Sequence, residues 1–436
     1  MPKHETKSVL HDVCADLFVP REATLGERTV VIHDALVALR PWGQRMTKEG
    51  QTQKSPKHID DLVLYLFRDA LESLVQGTEC YVALFDKASK VTRAKEPEQG
   101  MRDATKDGEK PIECPALLLV TQAEALSKIA FTPLEWGKLV HTRNTRADVI
   151  RQVCLRAADM LPAIMLRQGL RATQHLVLDF DGRNGEALPI VVTSAGRHST
   201  MPEYYRNDMG EYDVACMCYL RNPYITDMVR RRTFPDQPAP FVLMRSCDTD
   251  ILAILLLGVH NHNDSIGEVR LETTVASGVK QQPPQKVHCD PRVLRDWLYC
   301  KMRGTDPVSD FVRTYILSGT DYVKGPPGTG NGTVLRRYIA STGCASPAEV
   351  MEQIIHKRPK KSTPMRRAQL EQRMSEYCLE NSLLRTEWNM LYWNYAGQDG
   401  EIPPPDPRGM GFTEVGERLE YSEKAYAKNA TRIQII

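Results

Sequence analysis

None of the chain's 11 cysteines forms a C-x-x-C pair, so the spacing that usually marks a structural zinc site is missing. No internal repeat is visible, which sets aside repeat architectures. The longest strongly apolar run, ILAILLLGV at 251–259, is far too short to span a membrane. Charge of one sign is also lacking: 57 Lys and Arg against 55 Asp and Glu leave a net charge of +2. That balance neither requires nor excludes a nucleic-acid partner, because a local basic groove is enough. Scattered cysteines with no signal peptide point to a reducing, intracellular compartment.

One further absence concerns the stretch SGTDYVKGPPGTGNGT at 318–333, which begins like an ATP-binding loop. A phosphate loop needs G-x-x-x-x-G-K-[ST], because the Lys reaches the β- and γ-phosphates and the hydroxyl holds Mg²⁺. Gly325 to Gly330 fit, but Asn331 and Gly332 follow where Lys and Ser/Thr belong. The preceding DFVRTYILSGTDY reads as an amphipathic helix, with Phe311, Val312, Tyr315 and Ile316 at helical spacing, rather than as the required strand. ATP binding is therefore not expected, and the glycine turn needs another role.

What is present is ordinary globular material: 436 residues, 42% hydrophobic and 26% charged, enough for a large core and more than one structural unit. RTVVIHDALVAL (28–39) reads as a buried strand ending at Asp34, and ECYVALFDK (79–87) as a second ending at Asp86. RADVIRQVCLRAADMLPAI (146–164) predicts an amphipathic helix with Val149, Ile150, Val153, Ala157 and Leu161 inward. HLVLDFDGRNGEALPIVVTS (175–194) reads as two strands joined by a turn, and GEYDVACMCYL (210–220) as a helix start. PFVLMRSCDTDILAILLL (240–257) reads as a strand, a D-x-D turn and a further apolar segment. ASGVKQQPPQK (276–286) looks like a linker break, and HNHND (260–264) like a turn after a strand. Strands alternating with helices predict an α/β fold around a central, mostly parallel sheet flanked by helices.

One pattern recurs: an apolar strand ends, and a carboxylate sits at or just beyond its end. Asp34, Asp86, Asp248 and Asp250 follow it, and Glu211 and Asp213 open a helix. The carboxyl ends of strands line the ligand crevice of open α/β sheets. Carboxylates that converge there repel one another unless protons or cations intervene. Hard oxygen ligands select Mg²⁺ or Mn²⁺, and a pair of such ions is the arrangement used for in-line phosphodiester cleavage. Taken singly, each of these Asp residues reads better as a cap or turn residue; the set is what carries weight.

In order and local context these segments resemble the flap endonuclease/XPG family of structure-specific 5′ nucleases. VVIHDALVAL resembles the family's first strand with its metal Asp, at Asp34, and YVALFDK its YVFDGK strand, at Asp86. GEYDVACMCYL resembles GEAEA(Q)CAxL, giving Glu211 and Asp213, and RSCDTDILAI resembles S-x-D-x-D-x-L, giving Asp248 and Asp250. FVRTYILSGTDYVKGPPGTG resembles the family's F-x-x-x-C-I-L-x-G-x-D-Y segment, giving Asp321. The resemblance implies seven catalytic carboxylates, Asp34, Asp86, Glu211, Asp213, Asp248, Asp250 and Asp321, holding two Mg²⁺ (or Mn²⁺) ions. It also implies a helical arch within about 87–200, with Lys87, Lys90, Arg93 and Arg102 as nucleic-acid contacts. A helix-two-turn-helix element at about 308–355 would hold a duplex phosphate on backbone N–H groups at Gly328 and Gly330, with a K⁺ ion, and that gives the glycine turn its role.

The family's Lys after that turn is absent, and Arg336 and Arg337 stand one turn later. No sliding-clamp motif is found. The reading places a nuclease domain at 1–355 and a basic, helical extension at 356–436. The extension's HKRPKKSTPMRR fits a nuclear-localisation or nucleic-acid-binding segment. The expected partner is branched or 5′-ended DNA. Two alternatives stay open: an RNA-cleaving enzyme on the same core, of viral mRNA-decay or 5′→3′ exoribonuclease type, and a non-catalytic nucleic-acid-binding scaffold derived from it.

Overall fold

The computed structural model describes residues 3–21, 28–36, 58–87, 143–182, 189–199, 212–220, 222–231, 239–246, 248, 250–261, 268–275, 285–318, 331–342, 412–415 and 418–421. Its strands are β1 (Phe18–Pro20), β2 (Arg28–Asp34), β3 (Cys80–Leu84), β4 (His175–Asp179), β5 (Ile190–Thr193), β6 (Gly196–Ser199), β7 (Phe241–Arg245), β8 (Val269–Val275), β9 (Gln285–Cys289), β10 (Phe412–Val415) and β11 (Arg418–Tyr421). Its helices are α1 (Lys3–Val13), α2 (Ile59–Val75), α3 (Arg143–Arg167), α4 (Tyr212–Leu220), α5 (Pro223–Arg230), α6 (Asp250–Asn261), α7 (Pro291–Lys301), α8 (Pro307–Ser318) and α9 (Asn331–Ala340).

Nine strands form one sheet in the order β1-β9-β8-β7-β2-β3-β4-β5-β6. The centre, β8-β7-β2-β3-β4, is parallel, and both edges turn antiparallel through β9 and β5. The fold is thus α/β with a mostly parallel core, as the alternation of strands and helices predicts. Central parallel strands are covered on both faces and read as unbroken apolar runs. Accordingly β3, β4 and β7 are buried at every position.

The two faces separate by strand alternation. Val31, Tyr81, Ala83, Leu176, Leu178 and Leu243 share one core cluster with α2 and α3. The five α3 residues expected to face inward, Val149, Ile150, Val153, Ala157 and Leu161, all lie in that cluster. Arg156 of α3 clamps Asp60 of α2 through two bonds, at 2.7 and 2.9 Å. On the opposite face α4 and α5 pack against β2.

Several expectations need correction. The apolar segment 251–259 is helical, so HNHND follows a helix and not a strand: it begins in the last turn of α6. There the His260 ring lies tilted against Tyr299, with ring centres 6.0 Å apart, and stands 3.4 Å from Asp306. The supposed linker at 276–286 joins two antiparallel neighbours, β8 and β9, and its last two residues already belong to β9. The chain divides into two compact units, one of 10–259 and 263–295 and the other of 1–9, 260–262 and 296–436. The C-terminal stretch carries the antiparallel hairpin β10–β11, and the part of it where a helix is expected lies outside the described residues. Among the described residues, no helix is long and apolar enough to cross a membrane.

Candidate functional site

Three adjacent parallel strands, β7, β2 and β3, deliver the strand-borne carboxylates to one edge of the sheet. Asp34 is the last residue of β2, Asp86 lies two residues beyond β3, and Asp248 and Asp250 follow β7. Alternation puts Asp34 on the face of Ile32, the face covered by α4 and α5. The sequence pattern alone placed these four residues, and the sheet order makes them neighbours.

The turn after β7 is built from short side chains bonding to nearby backbone. The hydroxyl of Ser246 accepts the N–H of Asp248 at 3.1 Å, and Asp248 Oδ1 accepts the N–H of Asp250 at 3.0 Å. Asp250 opens α6, and its residue is fully buried. In S-x-D-x-D, then, the Ser and first Asp shape the turn that fixes both carboxylates.

Helix α4 reaches the same edge. The backbone N–H of Tyr212 donates to Asp86 Oδ1 at 2.9 Å. This ties the start of α4 to Asp86. Glu211 and the side chain of Asp213 lie outside the described residues, as do Asp321, Lys90, Arg93, Arg102, Gly328 and Gly330. Among the described residues no group of three or more His, Cys, Asp or Glu is spaced to hold a metal ion. The donors brought to the edge are all oxygens, the ligand type that suits Mg²⁺ and Mn²⁺.

Lys87 requires a correction. Read as an arch residue exposed to nucleic acid, it is instead buried, with Nζ 2.8 Å from Asp179 Oδ1. The hydroxyl of Tyr219 on α4 donates to the other oxygen, Oδ2, at 2.8 Å. Asp179 ends β4 and pairs in register with Leu84, which itself pairs with Asp34. It is thus a carboxylate at the end of a fourth parallel strand, and the sequence reading missed it. The signal was there, since HLVLD repeats the pattern of an apolar strand ending in Asp. Lys87 neutralises it within the fold.

On the other face a row of polar side chains crosses the sheet just below the carboxyl edge. His33, Arg245, Glu272 and His288 are successive register partners on β2, β7, β8 and β9. Tyr81 Oη lies 2.7 Å from His33 Nδ1, Arg245 Nε lies 3.2 Å from Glu272 Oε1, and His288 Nε2 lies 3.4 Å from Glu272 Oε2. Burial, followed by the charge of Arg245, pushes His33 down to about 4, and burial pushes the Tyr81 phenol up to about 12. For Glu272 burial acts upward, but the His288 hydrogen bond and the charges of Arg245 and Arg21 prevail and bring it to about 2. The row was not legible in the sequence, where its members lie up to 255 positions apart (33 to 288).

In the second unit, α8 packs on α9. Phe311, Val312 and Tyr315 are buried, as their spacing predicts, and α9 opens at Asn331, directly after the glycine turn. Arg336 of α9 is exposed, and Arg337, in its last turn, is half-buried.

No protein-family model and no curated protein sequence matches the chain. Among solved structures 33 chains match. One is the catalytic core of Rad2 in complex with DNA substrate, at 10% identity and a TM-score of 0.35, covering 89% of this chain and 84% of that one.

Proposed function

We propose that the chain is a divalent-metal-dependent nuclease of the flap endonuclease/XPG type, hydrolysing phosphodiester bonds in branched or 5′-ended DNA. The observation that carries this reading is the alignment of Asp34, Asp86, Asp248 and Asp250 along the carboxyl ends of three adjacent parallel strands, with α4 tied to Asp86 through Tyr212. This is where ligands bind in open α/β sheets. A structural role accounts for any one Asp as a cap, but not for four on three consecutive strand ends.

In this reading Asp34, Asp86, Asp248 and Asp250 would hold two Mg²⁺ or Mn²⁺ ions together with Glu211 and Asp213. Such ions lower the pKa of an attacking water and stabilise the charge on the phosphoryl group in flight. The protein's own part is to fix oxygen donors in place. The Ser246–Asp248–Asp250 turn prevents the two β7 carboxylates from swinging apart. The Lys87–Asp179 pair keeps a further negative charge out of an already acidic edge. Gly328 and Gly330 hold a duplex phosphate beside a K⁺ ion, and Arg336 and Arg337 stand in for the missing Lys.

The test is a substrate panel. The purified chain is incubated with labelled 5′-flap, nicked duplex, single-stranded DNA and single-stranded RNA, in Mg²⁺ and in EDTA. Mg²⁺-dependent cleavage with preference for the flap or a free 5′ end is expected. Cleavage of RNA alone would keep the chemistry and change the substrate class, while no cleavage of any substrate in Mg²⁺ or Mn²⁺ would end the proposal.

A further inference from the structure

Tyr212 stands between Glu211 and Asp213 in the chain, and it is 3% exposed. It contacts two of the strands that carry the acidic edge, and Asp86 just beyond the third. Its backbone N–H donates to Asp86 Oδ1 at 2.9 Å, beyond β3. Its hydroxyl lies 3.4 Å from the carbonyl oxygen of Ile32 on β2 and 3.3 Å from that of Arg245 on β7, sharing one proton between them. Ile32 precedes Asp34 by two residues and Arg245 precedes Asp248 by three. The phenol therefore bridges the two strands just before their carboxylates.

The opposite end of α4 is held in the same manner. Tyr219 comes seven residues after Tyr212, two helical turns on and on the same side of the helix. Its hydroxyl bonds Asp179 at the end of β4. Seven residues of helix span about 10.5 Å. The step from the β7/β2 boundary to β4 is about 12 Å at the usual strand spacing. Helix α4 therefore lies across the carboxyl ends of the parallel strands, anchored by a tyrosine at each end. The family segment that GEYDVACMCYL resembles has a small Ala where this chain has Tyr212, so the bridge is a feature of this chain.

We propose that Tyr212 is a positioning residue, one that fixes Asp86 and the start of α4 against the ends of β2 and β7, and so sets the affinity of the site for divalent metal. The proposal rests on the nuclease reading. In that site ligands from a helix and from three strands must meet around small ions. A hydroxyl wedged between β2 and β7 fixes the helix start relative to both strands, and the N–H of the same residue fixes Asp86.

The experiment titrates Mn²⁺ into the full chain by calorimetry for wild type, Tyr212→Phe, Tyr219→Phe and the double variant Asp248→Asn/Asp250→Asn, with melting temperatures in EDTA measured alongside. Tyr212→Phe keeps the ring and the N–H and loses only the hydroxyl. Its Mn²⁺ affinity should fall about fivefold, the size of one net hydrogen bond, and the Mn²⁺ concentration for half-maximal cleavage should rise by the same factor. Tyr219→Phe, which loses a buried hydroxyl at the far end, should melt lower yet bind Mn²⁺ within about twofold of wild type. Wild-type Mn²⁺ affinity in Tyr212→Phe, or an equal loss in Tyr219→Phe, would overturn the positioning role. If wild type binds no Mn²⁺, or the double Asn variant binds it as well as wild type does, the nuclease reading itself fails, and the two failures are told apart.

Discussion

Lys87 Nζ lies 2.8 Å from Asp179 Oδ1, and the hydroxyl of Tyr219 donates to the second carboxylate oxygen, so three buried groups meet at the end of β4. Breaking a buried ion pair from one side leaves an unpaired buried charge, which costs about 3–5 kcal/mol. Lys87→Met should therefore destabilise the fold by about that much in urea denaturation. Lys87→Met combined with Asp179→Asn should recover part of the loss, because no charge is then left alone. Additive losses in the double variant would show that the two groups are not coupled.

Helix α3 offers a control for the core. Leu161 is fully buried in the cluster beneath α2 and α3, whereas Leu166, five residues later, is 66% exposed. Leu161→Ala should cost about 2–5 kcal/mol, the range for a buried Leu that leaves a cavity. Leu166→Ala should stay within about 0.5 kcal/mol, as surface changes do. Equal losses in chemical denaturation would contradict the packing of α3 described above.

The polar row predicts a pH dependence. Glu272 is held at about 2 against an ordinary 4.5, so the folded state binds its proton less readily than the unfolded state. Its contribution is complete above about pH 4.5 and is lost as pH falls toward 2. The shift corresponds to about 3 kcal/mol at most. Glu272→Gln should therefore be less stable than wild type at pH 6, with a flatter decline between pH 4.5 and 3. Denaturation curves at those pH values check it, and parallel declines in the two proteins would contradict it.

What the sequence disclosed follows from the kind of signal each element carries. The strand at 28–34 was legible to the residue because an apolar run stops abruptly at a charged one. The inward face of α3 was legible because its period is 3.6 residues. Helix α6 was legible only as an apolar segment, since a run buried on nearly every side has no period from which to tell helix from strand. Asp34, Asp86, Asp248 and Asp250 were legible one by one, as carboxylates ending strands, but the strand order that makes them neighbours was not. Lys87 was misplaced because a lysine in a polar stretch reads as solvated, and its partner Asp179 is 92 positions away (87 to 179). The role of Tyr212 depends on β2 and β7 lying side by side, a fact of register that no local pattern encodes.

The most direct test of the nuclease reading is the cleavage rate of a 5′-flap substrate in Mg²⁺ by Asp248→Asn and Asp250→Asn, set against substrate affinity measured in Ca²⁺ or EDTA. Each replacement keeps the size of the side chain and removes a negative oxygen donor, so loss of metal activation should lower the rate at least about 100-fold, while affinity for the flap stays within a few-fold of wild type. Either variant cleaving at the wild-type rate would contradict the assignment of these carboxylates to a metal-dependent nuclease centre.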